Sequence, residues 1–345
     1  MLAACRAAID GSRDFVLAEI DWRRFMALCR RHRVQGFVHA GLPTLKVVPP
    51  DAEAHILTTD TTKIVAGNLG AIAESARILN AFHGSGIAVL FVKGMALAGL
   101  VHPKPLLKMS SDIDLLVDPA ELPAAAGLLG DLGYRSLAPR TGVERWHEWH
   151  KESVWSNGRQ QIDLHTGLAD NDRLIPGIGL ASPMQQVSLP GGVTLPTLAT
   201  DELFAYLCVH GASSAWFRLK WILDLAALLR NRPAEEVDRL FERSQALGAG
   251  RSAGQALLLV SELFGTSLSS ALAKRLVDDR PVRLLATLAR KQMSGKFELG
   301  EPAAIRFGTA AIHASQLLLL PGLRFKAGEI FRQGCAAIRA AGRAC

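Results

Sequence analysis

The chain has 345 residues, a formal charge of +7 and a pI near 9.4; 49% of its residues are hydrophobic and 21% charged. That length allows two domains with separate cores, and the composition excludes a disordered or low-complexity protein. The basic residues are scattered and form no long block, so the charge balance does not point to a nucleic-acid footprint.

Residues 1 to about 84 are expected to be helical. Phe15, Leu17, Ile20, Phe25 and Leu28, then Ile64, Leu69, Ile72, Ile78 and Leu79, recur at helical spacing, with a break at Val47-Val48-Pro49-Pro50. Gly84-Ser85-Gly86 ends this region. A strand is predicted at Ile87 to Val92, followed by a short helix from Met95 to Val101 and a second strand from Ile113 to Val117. Pro119 is expected near the first turn of the next helix, which carries Leu122, Ala126, Leu128 and Leu129 and closes at Gly133-Tyr134. Two more strand-like runs, Ser153 to Ser156 and Gln160 to His165, flank Asn157-Gly158, a strong hairpin signal. From Thr200 onward the pattern is helical again, with a helix through Leu207, another from Trp216 to Leu229, and later punctuation at Arg232-Pro233 and at Gly248 to Gly254. The basic tail, Arg324 to Arg343, reads as a closing helix rather than a membrane contact.

The organisation expected from this pattern is an N-terminal helical region (1–84), a core built on a small mixed sheet (85–198) and a C-terminal helical domain (199–345). The five cysteines are widely spaced and form no Cys-x-x-Cys pair, and the first residues do not read as a secretory signal. No run is apolar enough to span a bilayer, and the setting expected is reducing and cytoplasmic.

The chemistry concentrates in three places. In the second predicted strand, Asp112 and Asp114 stand at i, i+2, so their side chains share one face. Two like charges in a core-seeking strand repel and lose hydration unless a cation joins them. Asp163, in the second arm of the hairpin, adds a third carboxylate if that arm lies beside the first pair. Three converging carboxylates hold two divalent ions in phosphoryl or nucleotidyl transfer. Lys93-Gly94 ends the first strand ahead of a helix: Gly94 lets backbone approach an anion and Lys93 supplies a compact positive charge. Ser110 and Ser111 read as loop or metal-water contacts beside the pair, not as nucleophiles. His165 follows Asp163 by two residues on the same face and is expected to orient a metal ligand or touch phosphate. His147 and His150 are expected at the surface or in an acceptor cleft, and His210, among apolar neighbours, chiefly in the core. No phosphate loop, nucleophile elbow or protein-kinase signature is present.

In order along the chain, Phe91-Val92-Lys93-Gly94-Met95-Ala96-Leu97-Ala98, Lys108-Met109-Ser110-Ser111-Asp112-Ile113-Asp114-Leu115-Leu116-Val117, Leu132-Gly133-Tyr134, Ile162-Asp163-Leu164-His165 and a later stretch from His210 to Ala226 resemble the nucleotidyltransferase superfamily of the DNA polymerase β type. More closely, they resemble the bacterial family of uncharacterised nucleotidyltransferases in which Lys-Gly replaces the usual Gly-Ser. The resemblance implies an α+β, polymerase-β-like catalytic core flanked by N- and C-terminal helical regions. It also implies that Asp112, Asp114 and Asp163 hold Mg²⁺ (or Mn²⁺), and that a nucleoside monophosphate moves from an NTP to an acceptor with release of pyrophosphate. Lys93, Gly94, Lys108 and Ser111 are then the nucleotide- or phosphate-binding set. His165, His150 and His210 are placed behind the metal ligands or in the acceptor cleft. Two positions depart from the pattern: members carry Arg where this chain has Lys108, and an aromatic near His102. The acceptor expected is a small molecule, peptide or protein. Two other readings stay open, a catalytically silent nucleotide- or partner-binding module and, ranked last, an RNA-directed transferase or toxin.

Overall fold

The computed structural model describes residues 1–13, 19–138, 142–294 and 308–341, the last three of these without their side chains. Phe15 and Leu17 of the first predicted periodicity lie outside the described residues, as do Arg343 and Cys345. The protein is α+β and divides into two compact units, one made of Met1–Asp170 with Gly177–Leu203, the other of Asn171–Pro176 with the chain from Phe204 onward.

In the first unit, helices α1 (Leu2–Asp10), α2 (Trp22–His32), α3 (Gln35–Gly41) and α4 (Asp51–Gly84) precede the sheet. The break at Val47–Pro50 is where expected: Pro50 caps α4, whose first turn carries Asp51 and Glu53 against the positive end of the helix. There follow β1 (Leu90–Phe91), α5 (Gly94–Val101), β2 (Ile113–Leu116), α6 (Leu122–Asp131), β3 (Arg135–Ser136), α7 (Val143–His147), β4 (Glu152–Ser156) and β5 (Gln161–His165). The five strands form one mixed sheet in the order β1-β2-β5-β4-β3, with β2 and β5 parallel and the other neighbours antiparallel. The first strand is shorter than the predicted Ile87 to Val92, because only Leu90 and Phe91 find ladder partners, Leu116 and Leu115.

One face of this sheet is the core. Ile113, Leu115 and Val117 from β2 and its end, with Ile162 and Leu164 from β5, pack with Ile78 and Phe82 of α4 and Leu129 of α6. Strand alternation then sends Asp114, Asp163 and His165 to the opposite face. The apolar residues that stabilise the sheet therefore also fix where its carboxylates point.

A second hairpin, β6 (Met184–Ser188) and β7 (Thr194–Leu198), was not read from the sequence. Pro196 argues against a strand in the middle of a sheet, but this ladder has two strands only, so its backbone loses no second partner. The turn signal was there, in Pro190-Gly191-Gly192, where both glycines have positive φ.

Helices α8 (Thr200–Ser213), α9 (Leu219–Leu229), α10 (Ala234–Ala246), α11 (Gly250–Phe264), α12 (Ser270–Asp278), α13 (Arg280–Met293), α14 (Ala310–Gln316) and α15 (Leu323–Ala341) follow among the described residues. Two expectations are corrected here. Trp216 does not begin a helix: Ala215 and Trp216 turn at φ 46 and 51, and the indole is buried against Gly211, where a Cβ would fall 2.4 Å from the ring. Gly254 is no break either; it lies inside α11, and its missing side chain admits Leu276 and Val282 of the neighbouring helices. Among the described residues no helix is long and apolar enough to cross a membrane.

Candidate active site

The parallel pairing of β2 with β5 sets Asp114 opposite Asp163 as direct register partners. Asp112 lies just ahead of β2, half-buried. Its carboxylate and that of Asp114 are close enough to act on Asp163: with burial as the larger cause, these two negative neighbours push the Asp163 carboxyl up to about 7. Gln161 donates a hydrogen bond to Asp163 Oδ1 at 3.0 Å.

Asp114 is treated differently. Its side chain is 2% exposed, and burial alone would raise its pKa. Lys93 Nζ lies 2.7 Å from Oδ1 and His165 Nε2 lies 3.1 Å from the same oxygen, and together they hold the carboxylate well below the usual range. His165 is buried, and its other nitrogen, Nδ1, is 3.2 Å from Glu152 Oε2, within ion-pair distance but poorly aligned for a hydrogen bond. Glu152 is paired with Lys151 at 2.5 Å. A line of polar contacts thus runs from Lys151 through Glu152, His165 and Asp114 to Lys93.

The loop before β2 is clamped from two sides. Asn68 of α4, almost fully buried, donates through Nδ2 to the carbonyls of Leu106 (2.8 Å) and Lys108 (2.7 Å). At the start of α5, Gly94 has φ 56, and a Cβ there would sit 3.2 Å from the Asp112 carbonyl and 3.3 Å from Ser110 Oγ. A side chain at 94 would both strain the backbone and push the carboxylate loop away. Ser110 Oγ donates to the Asp112 carbonyl (3.2 Å) and Ser111 Oγ to Asp112 Oδ2 (3.3 Å). Arg33 Nη1 lies 3.4 Å from Ser111 Oγ.

Asp112, Asp114, Asp163, Lys93, Gly94, Ser111 and His165 therefore gather about β2 and β5, the inner parallel pair of the sheet. Lys108 is buried at 5% exposure in the preceding loop. His150 is stacked on Trp146, ring centroids 4.0 Å apart. His210 belongs to the second unit, edge-on to Trp221 at 5.6 Å. His147 bonds Thr166 Oγ1 (2.7 Å) and Ser153 Oγ (2.9 Å). Sequence reasoning missed Glu152, Lys151, Arg33 and Asn68. The ladder pairs Ser156 with Gln161 and Glu152 with His165 across the four-residue connection 157–160, two residues off the register that a two-residue Asn157-Gly158 turn would give, so Glu152 was not within reach of the sequence.

The family model described as "Uncharacterised nucleotidyltransferase" matches residues 18–265, which include every residue of this cluster. The chain belongs to that family. Nucleotidyl transfer is accordingly its activity in general terms, with a nucleotide as substrate. A search of the curated proteins gives no match.

The donor set suits a hard divalent cation. Its members are carboxylate oxygens, and Asp163 carries a charge that its neighbours oppose. Among the described residues no three His, Cys, Asp or Glu side chains stand close enough to cage an ion by themselves. Magnesium does not ask for such a cage: it keeps several waters and binds through one or two carboxylates together with substrate phosphates.

Proposed function

We propose that the protein transfers a nucleoside monophosphate from an NTP to a hydroxyl-bearing acceptor, a small molecule, peptide or protein, and releases pyrophosphate. Asp112, Asp114 and Asp163 would hold Mg²⁺ or Mn²⁺. When bound, such ions neutralise the triphosphate and lower the pKa of the attacking hydroxyl. The acceptor hydroxyl gives its proton to solvent, its oxygen bonds to the α-phosphorus, and the bond from that phosphorus to the bridging oxygen of the β-phosphate breaks, its electron pair leaving with pyrophosphate.

The residues of the chain do the positioning. Lys93 and His165 keep Asp114 ionised and hold its carboxylate through Oδ1. Gly94 opens the start of α5 to the triphosphate, whose charge suits that helix end. Lys93, beside Asp114, would neutralise charge on the departing pyrophosphate. The observation that carries this reading is the Asp114–Asp163 register, with Asp112 close enough to act on Asp163. The described cysteines are free thiols, in keeping with a reducing, cytoplasmic setting.

One observation favours a second reading, nucleotide binding without transfer: Lys93 already neutralises Asp114 at 2.7 Å. A single assay separates the two. The protein and its Asp114→Asn variant are given each α-phosphate-labelled NTP, Mg²⁺ or Mn²⁺, and extract from the source cells. Label carried into an acceptor by the unmodified chain alone supports transfer. Metal-enhanced NTP binding with no label transferred in any fraction sinks it in favour of the silent module.

A further inference from the structure

Arg33 is where the N-terminal helices meet the carboxylate cluster. It ends α2 in the left-handed region, at φ 57, a conformation that disfavours residues with a side chain. The helix that follows is pinned close behind it. Gly36 approaches the Leu107 carbonyl so tightly that a Cβ would fall 2.3 Å from its oxygen. One residue on, the Phe37 ring lies 4.6 Å from that of His102. These two contacts hold the start of α3 against the segment leading into β2, and Arg33 is carried to Ser111. Through the Ser111 hydroxyl, the guanidinium is one hydrogen bond removed from Asp112 Oδ2.

Arg33 is half-buried, permanently charged, and carries the planar fork that pairs with two phosphate oxygens at once. A guanidinium at the rim of a carboxylate cluster is well placed for a polyanion that arrives with its own cations. We propose that Arg33 binds the triphosphate of the incoming NTP, on the β- or γ-phosphate, so that the N-terminal helices form part of the nucleotide site. This rests on the nucleotidyl-transfer reading above.

The test is calorimetric titration of the full chain with ATP, GTP, CTP and UTP in Mg²⁺, and with the mono- and diphosphate of whichever nucleotide binds. Arg33→Ala should weaken triphosphate binding about 10- to 100-fold, the range for losing a charge-assisted bond. Monophosphate affinity should change by less than about twofold. Arg33→Gly should behave in the same way, and because glycine accepts the positive φ it keeps the test independent of folding. Equal triphosphate affinity in both variants overturns the role of Arg33 and leaves nucleotidyl transfer standing. So does a loss shared equally by mono- and triphosphate, which marks a structural residue. If the unmodified chain binds no NTP, the nucleotidyl-transfer reading falls and this inference with it.

Discussion

Asp114 and Asp163 are register partners on adjacent parallel strands, yet the chain gives them opposite electrostatic fates. Asp114 is bonded by Lys93 and His165 and is held ionised, whereas Asp163 takes an amide hydrogen bond and is pushed up to about 7 by burial and by two carboxylate neighbours. The pair is therefore asymmetric before any ligand arrives, with the uncompensated charge on Asp163.

That asymmetry predicts how the metal-free protein responds to pH. In the unfolded chain Asp163 titrates near 3.8, and in the folded protein near 7. Below the lower value both states hold the proton. Between the two values only the folded state does, so the contribution of Asp163 to stability falls as pH rises toward 7. Chemical denaturation in EDTA should show Asp163→Asn to be more stable than the unmodified chain at pH 8, with the gap closing toward pH 4. Mg²⁺ should stabilise the unmodified chain and leave the variant almost unmoved. Parallel pH curves for the two proteins would contradict this.

Lys93 makes a second prediction. Removing its ammonium leaves the carboxylate of Asp114 buried with only His165 beside it, and stranding a buried charge costs about 3–5 kcal/mol. Lys93→Met should lose stability of that order in urea denaturation, while Lys93→Met combined with Asp114→Asn should recover a large part of it. The coupling from this double-mutant cycle measures the pair itself. If the two losses simply add, the 2.7 Å contact contributes nothing to stability.

These residues also show what a sequence can and cannot reveal. Ile113, Leu115 and Val117 alternate with Asp114 in plain view, so the strand and its polar face were legible. The hairpin signal at Asn157-Gly158 was equally local: Asn157 Oδ1 accepts from the backbone N–H groups of Arg159 and Gln160, and Gly158 takes φ 81. The Asp114–Asp163 register was not legible, because the pairing of β2 with β5 joins segments about fifty residues apart through packing rather than through any local rule. Asn68 and Arg33 were hidden for the same reason. Each is an ordinary polar residue in a helical region until the loop at 105–111 is folded against it. The β6–β7 hairpin went unread; its Pro196 is tolerated because a strand of a two-stranded ladder has no second partner to lose.

Gly94 joins local backbone to site geometry, so its replacement separates stability from function. Gly94→Ala forces a side chain into φ 56, at about 1–2 kcal/mol, and brings its Cβ against the Asp112 carbonyl and Ser110 Oγ. The loss in thermal denaturation should stay within that range. The loss of NTP-dependent turnover, or of Mg²⁺ affinity, should be larger, since the atoms displaced belong to the loop that carries Asp112. A variant that turns over normally would show the close approach to be incidental.

His147 provides a pH response outside the carboxylate cluster. Burial, reinforced by the charges of His165 and His150, lowers its pKa to about 4 from the ordinary 6.5, with Glu152 opposing. Its two partners, Thr166 Oγ1 and Ser153 Oγ, are hydroxyls that can turn to accept from a protonated ring, so the hydrogen bonds survive protonation and the penalty is one of desolvation. The unfolded chain takes up this proton near pH 6.5 and the folded chain only near 4. Stability is thus lost progressively as pH falls through that window. His147→Gln retains a donor and an acceptor but cannot be protonated. It should flatten the acid limb of the stability curve between pH 6.5 and 4 while changing stability at pH 8 by no more than about 1–2 kcal/mol, the value of the hydrogen bonds at risk. An unchanged acid limb would mean that other groups drive the acid response and that His147 contributes packing alone.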